Sequence, residues 1–158
     1  MRIVKIILVC LAVIFVLIQF VRIDRSNPPI VAENTMETAL NVPPDIQQIM
    51  SRSCNDCHSN KTVYPWYTQV APVSWWLRNH IEDGRRELNT SEFATYNVRK
   101  KSKKLEEVCE QVKSGEMPLP SYLIVHRSAA LSPSEIEALC AWSETERAKL
   151  PTQTENKQ

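Results

Sequence analysis

The sequence predicts an all-α fold, in which a small helical domain follows a single N-terminal transmembrane helix. The 158 residues include ten prolines but only two glycines, and no long run alternates apolar with polar residues as a half-buried strand does. Several segments instead repeat apolar residues at intervals of three and four, which is the spacing of one helix face. The formal net charge of +1 creates no overall field that would recruit a nucleic acid, so we expect no such partner.

Residues 1–22 are expected to be an uncleaved membrane anchor. The stretch 3–21 is apolar apart from Lys5 and Gln19, and its length at 1.5 Å per residue comes close to the roughly 30 Å of a bilayer's hydrocarbon core. Arg2 and Lys5 favour a cytoplasmic N-terminus, with the rest of the chain exported. The alternative is a cleaved signal peptide, which is disfavoured because no small-x-small cleavage site follows the run.

The remaining chain divides into a tether, a folded domain and a polar tail. Proline pairs stiffen the two ends of residues 23–43, where we expect a tether with no stable element beyond a turn of helix near residues 35–40. Residues 44–150 carry helical periodicity and form the predicted domain. Residues 151–158 are polar and are expected to be disordered.

The first two helices of the domain are predicted on either side of an aromatic, proline-rich loop. The first begins at Pro44, and its buried face consists of Ile46, Ile49, Met50 and Ser53. The second covers residues 73–88, and its stripe consists of Val73, Trp76, Leu77, His80 and Ile81. Between them, the segment Tyr64-Pro65-Trp66-Tyr67 presents rings from a rigid loop, either as the wall of a ligand site or as ordinary core packing.

The last two helices carry the remaining apolar stripes. The third covers residues 93–114 and is ended by Gly115, and its stripe consists of Leu105, Val108, Cys109 and Val112. The fourth begins at a capping box of Ser132 and Glu135, and its buried face consists of Ile136, Leu139, Cys140 and Ser143. Two cysteines therefore lie on buried helix faces, where they could form a disulfide or remain separate thiols.

The pattern Cys54-Asn55-Asp56-Cys57-His58 is the candidate functional site. A chain with five Cys and three His in 158 residues rarely produces it by chance. In c-type haem attachment, two cysteine sulfurs about one turn apart add across the two vinyl groups of the porphyrin, and the next histidine provides an imidazole to the iron. The motif therefore predicts one covalent haem c per chain, attached to Cys54 and Cys57, with His58 as an iron ligand.

Zinc binding and thiol redox chemistry are the alternatives for this motif. A zinc site needs a fourth ligand, usually from a second pair of Cys or His residues, but Cys109 and Cys140 lie singly and far apart. A thioredoxin-like site needs its Cys-x-x-Cys at the end of a strand in a βαβ pattern, which the sequence lacks. Both alternatives are therefore less favoured than haem.

Met117 is the candidate for the second axial ligand of the iron. It lies between a predicted helix end and two prolines, so the backbone around it is restrained. A restrained thioether suits a ligand that reaches the metal from the far side of the ring. The alternatives are that Met117 fills a gap in the core, or that His80 or His126 is the distal ligand.

Several multi-residue motifs carry a resemblance to a known family. In order, they are Cys54-Asn-Asp-Cys-His-Ser59, Tyr64-Pro-Trp-Tyr67, Ala71-Pro-Val-Ser-Trp75, Gly84-Arg85, Leu88-Asn89, Ser91-Glu-Phe93 and Gly115-Glu-Met-Pro118. With them, residues 44–147 resemble the bacterial haem-binding domain family and, more broadly, the small monohaem c-type cytochromes. One departure is Arg127 after His126, where relatives often carry proline.

The resemblance implies a small cytochrome c-like helical domain around one covalent haem. It implies attachment at Cys54 and Cys57, His58 as the proximal ligand and Met117 as the distal ligand. Together with the predicted anchor, it places the protein in the bacterial inner membrane as a single-pass protein whose C-terminal domain lies in the periplasm.

These features predict a membrane-anchored electron carrier and not an enzyme. Coordination by histidine and methionine leaves no open site on the iron, and a thioether favours ferrous iron. The expected partners are the membrane and redox proteins. One alternative is a haem-based sensor or peroxidase-like enzyme in which Met117 leaves or never binds, and His80 or His126 acts on the distal side. Another is a thiol oxidoreductase that uses Cys54 and Cys57.

Overall fold

Helices account for the regular structure of residues 1–151, the part of the chain that this computed structural model describes. The α-helices are α1 (Arg2–Ile18), α2 (Met36–Ala39), α3 (Pro44–Ser53), α4 (Asn55–His58), α5 (Val73–Glu87), α6 (Val98–Ser114), α7 (Pro120–Leu123) and α8 (Pro133–Ala148). Short 3-10 helices lie at Ala32–Asn34, Trp66–Gln69, Phe93–Thr95 and Arg127–Ala129. These residues contain no strand, which confirms the all-α prediction for them. The predicted disordered tail lies outside the described residues apart from Pro151.

The predicted N-terminal transmembrane helix is wrong. The helix α1 has 17 residues, which is about 26 Å at 1.5 Å per residue, and no helix within residues 1–151 is both long enough and apolar enough to cross a membrane. It ends at Ile18, and the residues that follow bind the domain. The Gln19 side chain donates to Ala71 O at 3.1 Å and accepts from Ala71 N at 2.9 Å, and Trp75 Nε1 donates to Val21 O at 2.9 Å. The single-pass inner-membrane location that depended on this helix is therefore also wrong.

Part of the segment predicted as a tether packs into the core. Met36, Leu40 and Val42 are buried, and Met36 is only 1% exposed. The expected turn of helix is present as α2, and Met36 N donates to Thr90 O at 2.8 Å. Three apolar residues at intervals of four and two do not make a helical repeat, so the sequence pattern did not reveal their burial.

The core lies between α3, α6 and α8. The helix α3 buries the four residues that its periodicity predicts, Ile46, Ile49, Met50 and Ser53. A disulfide joins Cys109 of α6 to Cys140 of α8, so the structure contains the bonded pair rather than two separate thiols. Phe93, which is 0% exposed, and Leu105 pack in the same cluster.

The buried face of α5 and the start of α6 differ from their predictions. The helix α5 buries Ser74, Leu77 and Ile81, whereas Val73 and Trp76 are exposed. Its buried side is the one on which α4 packs, and this contact is not visible in the apolar pattern. The helix α6 begins at Val98 rather than at residue 93, because the Asn97 side chain accepts a hydrogen bond from Lys100 N at 2.8 Å and caps it there.

Both predicted helix-end signals are confirmed. Gly115 ends α6 with a φ of 75°, a left-handed conformation that favours glycine. Ser132 and Glu135 form the capping box at the start of α8. The Glu135 carboxylate also accepts from Arg52 Nη2 at 2.7 Å, and this bond joins α8 to α3.

Removing the disulfide is expected to destabilise the domain. We predict that the Cys109→Ala/Cys140→Ala variant loses about 3–4 kcal/mol of unfolding free energy, because the bond links positions 31 residues apart and restricts the unfolded chain. Urea denaturation of the haem-loaded protein measures this loss. Cys10→Ala, at an exposed free cysteine in α1, is the control and should change stability by no more than about 0.5 kcal/mol. Equal stabilities of the double variant and the wild type would contradict the prediction.

Candidate functional site

The motif Cys54 to His58 forms a tight turn of helix directly after α3. Cys57 N and His58 N both donate to Cys54 O, at 3.1 and 3.0 Å, so the two cysteines lie one turn apart. Their thiols are free and partly buried. Burial raises the pKa of Cys54 to about 12 and that of Cys57 to about 11. Because thiol exchange requires a thiolate, this environment disfavours the thiol oxidoreductase alternative.

The His58 ring is fixed by backbone carbonyls of α5 and its C-cap. Its Nδ1 lies 2.9 Å from Gly84 O and 3.1 Å from Leu88 O. Since carbonyl oxygens only accept hydrogen bonds, Nδ1 carries the proton and donates, which leaves Nε2 with its lone pair. Burial lowers the pKa of His58 and so favours the neutral ring. A neutral imidazole whose other nitrogen is held by a carbonyl is the usual state of a metal-binding histidine.

Gly84 allows α5 to pack directly on the motif. A Cβ atom at this position would lie 2.8 Å from the Cys57 carbonyl oxygen, closer than real Cβ atoms approach. The same glycine presents its own carbonyl to His58. The missing side chain therefore sets both the distance between α4 and α5 and the position of the imidazole.

Two adjoining cavities form a cleft beside the motif. Their volumes are about 390 and 200 Å³. Both are bordered by Ser53, Cys54, His58, Glu87 and Met117. The larger cavity has apolar walls from Met50, Leu88, Val108, Val112 and Leu139. An apolar cleft that brings together two thiols, an imidazole and a thioether fits a haem, because a porphyrin needs apolar walls and its iron takes axial nitrogen and sulfur ligands.

Of the predicted distal ligands, Met117 borders both cavities together with His58. It is half-buried on the loop after α6, and its backbone N donates to Gln111 O at 3.1 Å. His80 borders only the smaller cavity and belongs to α5, the helix whose Gly84 carbonyl holds His58. His126 borders neither cavity, and its Nε2 lies 2.6 Å from the Tyr67 hydroxyl.

The aromatic loop predicted as a possible wall of the site does not border the cleft. Neither cavity is lined by Tyr64, Trp66 or Tyr67, and Trp66 is 76% exposed. The aromatic side chain that borders the cleft is Tyr122, whose hydroxyl donates to Asp56 Oδ2 at 2.7 Å. Tyr122 could not be predicted as a site residue, because a single tyrosine five residues after Met117 matches no pattern.

The cleft wall also contains a charged group that was not predicted from the sequence. Lys104 is buried and bonds Glu107 Oε2 at 2.6 Å and Glu87 Oε2 at 3.1 Å. Burial by itself would lower the pKa of Lys104, but the hydrogen bonds to the two carboxylates outweigh it and raise that pKa. Along α6, Val108 lies four residues after Lys104 and Gln111 lies three residues after Val108. Both Val108 and Gln111 border the cavity. This helical spacing was the available signal.

The described residues do not support the zinc alternative. Within residues 1–151, no three or more Cys, His, Asp or Glu side chains form a group that could hold a metal ion. His58 has its Nδ1 engaged with backbone oxygens, and the two motif thiols are neutral at ordinary pH because burial raises their pKa values. The set of donors fits a cofactor with its own metal better than a free ion.

The fold and the cleft together define an all-α haem protein, and comparison with known proteins agrees. The family model described as haem-binding domain matches residues 13–145. The match covers most of the chain, so the chain belongs to the haem-binding domain family and binds haem. No curated protein and no solved structure matches it.

Filling the space at Gly84 is expected to damage the site. We predict that Gly84→Ala lowers the free energy of unfolding by about 1–2 kcal/mol, because the Cβ overlaps the Cys57 carbonyl and forces α4 and α5 apart. Alanine is a better helix former than glycine by about 1 kcal/mol, so a net loss of unfolding free energy would come from the contact with Cys57. Urea denaturation and the haem content of the purified protein measure the effect.

The control for this substitution is Asn79→Ala, at an exposed position of the same helix. It should leave the haem content unchanged and should not lower the free energy of unfolding, since alanine is also a better helix former than asparagine. If Gly84→Ala is as stable and as fully loaded as Asn79→Ala, the close packing of α4 on α5 does not constrain the site.

Proposed function

We propose that this chain is a c-type monohaem electron carrier. In this proposal Cys54 and Cys57 attach the haem through thioether bonds, His58 is the proximal ligand and Met117 is the distal ligand. The observation that carries the proposal is that all four side chains belong to one cleft, with Cys54, His58 and Met117 bordering both of its cavities.

Covalent attachment is supported by the placement of the thiols. They lie one helical turn apart beside the histidine, as addition to the two vinyl groups requires. They are also neutral and free of any disulfide. The cysteines that do pair, Cys109 and Cys140, lie between α6 and α8, so the motif thiols remain available.

The protein's own groups suit one-electron transfer. When bound, the haem supplies an iron that cycles between the ferric and ferrous states. His58 keeps its orientation in both states because Gly84 O and Leu88 O hold Nδ1. The Met117 thioether would favour the ferrous state, and Met117 and His58 would be the two side chains that hold the iron. A site without an open position supports an electron carrier that serves redox partner proteins, and not an enzyme.

Replacing Met117 tests the proposal. We expect wild-type protein to take up one electron reversibly, to show the weak red band of methionine-bound ferric haem and to bind cyanide poorly. Met117→Ala should lose this band, bind cyanide at least about tenfold more tightly and have a lower reduction potential, because a ligand that favours ferrous iron is lost. Visible spectra and a redox titration measure these changes.

The matched control is His80→Ala, which removes the other candidate side chain that borders the cleft. It should keep the band and the potential of the wild type. Loss of the wild-type spectrum in His80→Ala but not in Met117→Ala would assign the distal site to the histidine. Ready cyanide binding by the wild type would instead indicate an open site, as in a sensor or a peroxidase-like enzyme.

A further inference from the structure

The helix α7, which directly follows the loop that carries Met117, is joined to the motif helix α4 by the side chain of Tyr122. The Tyr122 hydroxyl donates to Asp56 Oδ2 at 2.7 Å. Asp56 lies between the two motif cysteines, and both bonded residues border the same cavity as Met117. The hydrogen bond therefore connects two walls of the cleft. One wall is α4, which carries Cys57 and His58, and the other is α7 with the preceding loop, which carries Met117.

The acceptor is held in place independently of Tyr122. Asp56 Oδ1 accepts from Val63 N at 3.2 Å, and the Asp56 carbonyl accepts from Thr62 Oγ1 at 2.7 Å. A carboxylate with one oxygen already engaged presents the other in a fixed direction. The Tyr122 hydroxyl thus meets a prearranged, charged acceptor, which makes a stronger hydrogen bond than a neutral one.

The ring of Tyr122 is also fixed. It stacks on the His126 ring with centroids 4.2 Å apart and an angle of 12° between the planes. His126 Nε2 lies 2.6 Å from the Tyr67 hydroxyl, so the stacked pair is attached to the aromatic loop. Desolvation by burial and the hydrogen bond to Asp56 raise the pKa of Tyr122, which keeps its hydroxyl protonated and able to donate.

Within the described chain, three hydrogen bonds connect residues 116–126 to segments that are not their immediate neighbours. One joins Met117 N to Gln111 O and ties the loop to α6. The second joins His126 to Tyr67. The third, from Tyr122 to Asp56, is the one that reaches α4. Of these three hydrogen bonds, the one from Tyr122 therefore links the segment of Met117 to the helix of His58.

We propose that Tyr122 is a positioning residue for the distal ligand: its hydrogen bond to Asp56 holds the Met117 loop against the helix that carries His58. This inference rests on the proposed ligation by Met117. A thioether is a weak ligand, so it stays on the iron only if its loop is held close, which raises its effective concentration over that of external ligands. Without the hydrogen bond, the loop would yield more readily to such a ligand.

The test is Tyr122→Phe in the haem-loaded full-length chain, since phenylalanine keeps the ring that stacks on His126 and removes the hydroxyl. We expect a normal haem content, a weaker methionine band in the ferric spectrum and about tenfold tighter cyanide binding, the change expected from losing one hydrogen bond to a charged group. Asp56→Ala, which removes the acceptor and leaves Tyr122 in place, should produce the same two changes.

The control is Tyr96→Phe, which also deletes a hydrogen-bonded hydroxyl. The Tyr96 hydroxyl accepts from Asn89 N at 2.9 Å, and Tyr96 borders neither cavity of the cleft. It should keep the wild-type band and cyanide affinity. The inference is overturned if Tyr122→Phe behaves as wild type, or if Tyr96→Phe changes band and affinity equally. A wild-type spectrum without the methionine band would instead refute the proposed ligation itself, so the two failures are distinguishable.

Discussion

The close contact between α4 and α5 is the constraint on which the site depends. Gly84 lets α5 approach the backbone of Cys57, and Gly84 O and Leu88 O then hold Nδ1 of His58. The half-buried imidazole cannot rotate without losing these hydrogen bonds, so its free nitrogen keeps one orientation. The other walls of the cleft, from α3, α6 and the Met117 loop, are arranged around this fixed ring.

Local signals were sufficient to predict much of the fold and the centre of the site. The four buried residues of α3, the capping box of α8 and the left-handed Gly115 each follow from spacing or backbone chemistry within a few residues. The motif predicted haem binding for the same reason, because its chemistry is contained in five consecutive residues. The family match confirms haem binding, while the roles of the individual residues remain predictions.

Features that depend on contacts between distant segments could not be predicted in this way. The helix α1 ends at Ile18, before the end of the apolar N-terminal run, and Gln19 and Val21 bond instead to Ala71 and Trp75. Met36 is buried in a segment without periodicity, and α5 turns Trp76 outward because α4 covers its other side. Tyr122 is joined to the cleft by its hydrogen bond to Asp56, which lies 66 residues away in the sequence.

The most direct test of this account is the mass of the peptide that contains the motif. The chain is matured with a haem-attachment system, purified, treated with a thiol-alkylating reagent after unfolding and digested. The account predicts that the peptide spanning Cys54 to His58 carries the mass of one haem and that neither of its cysteines is alkylated. A peptide that lacks the mass of the haem and carries an alkyl group on both cysteines, from protein that bound haem when folded, would contradict it.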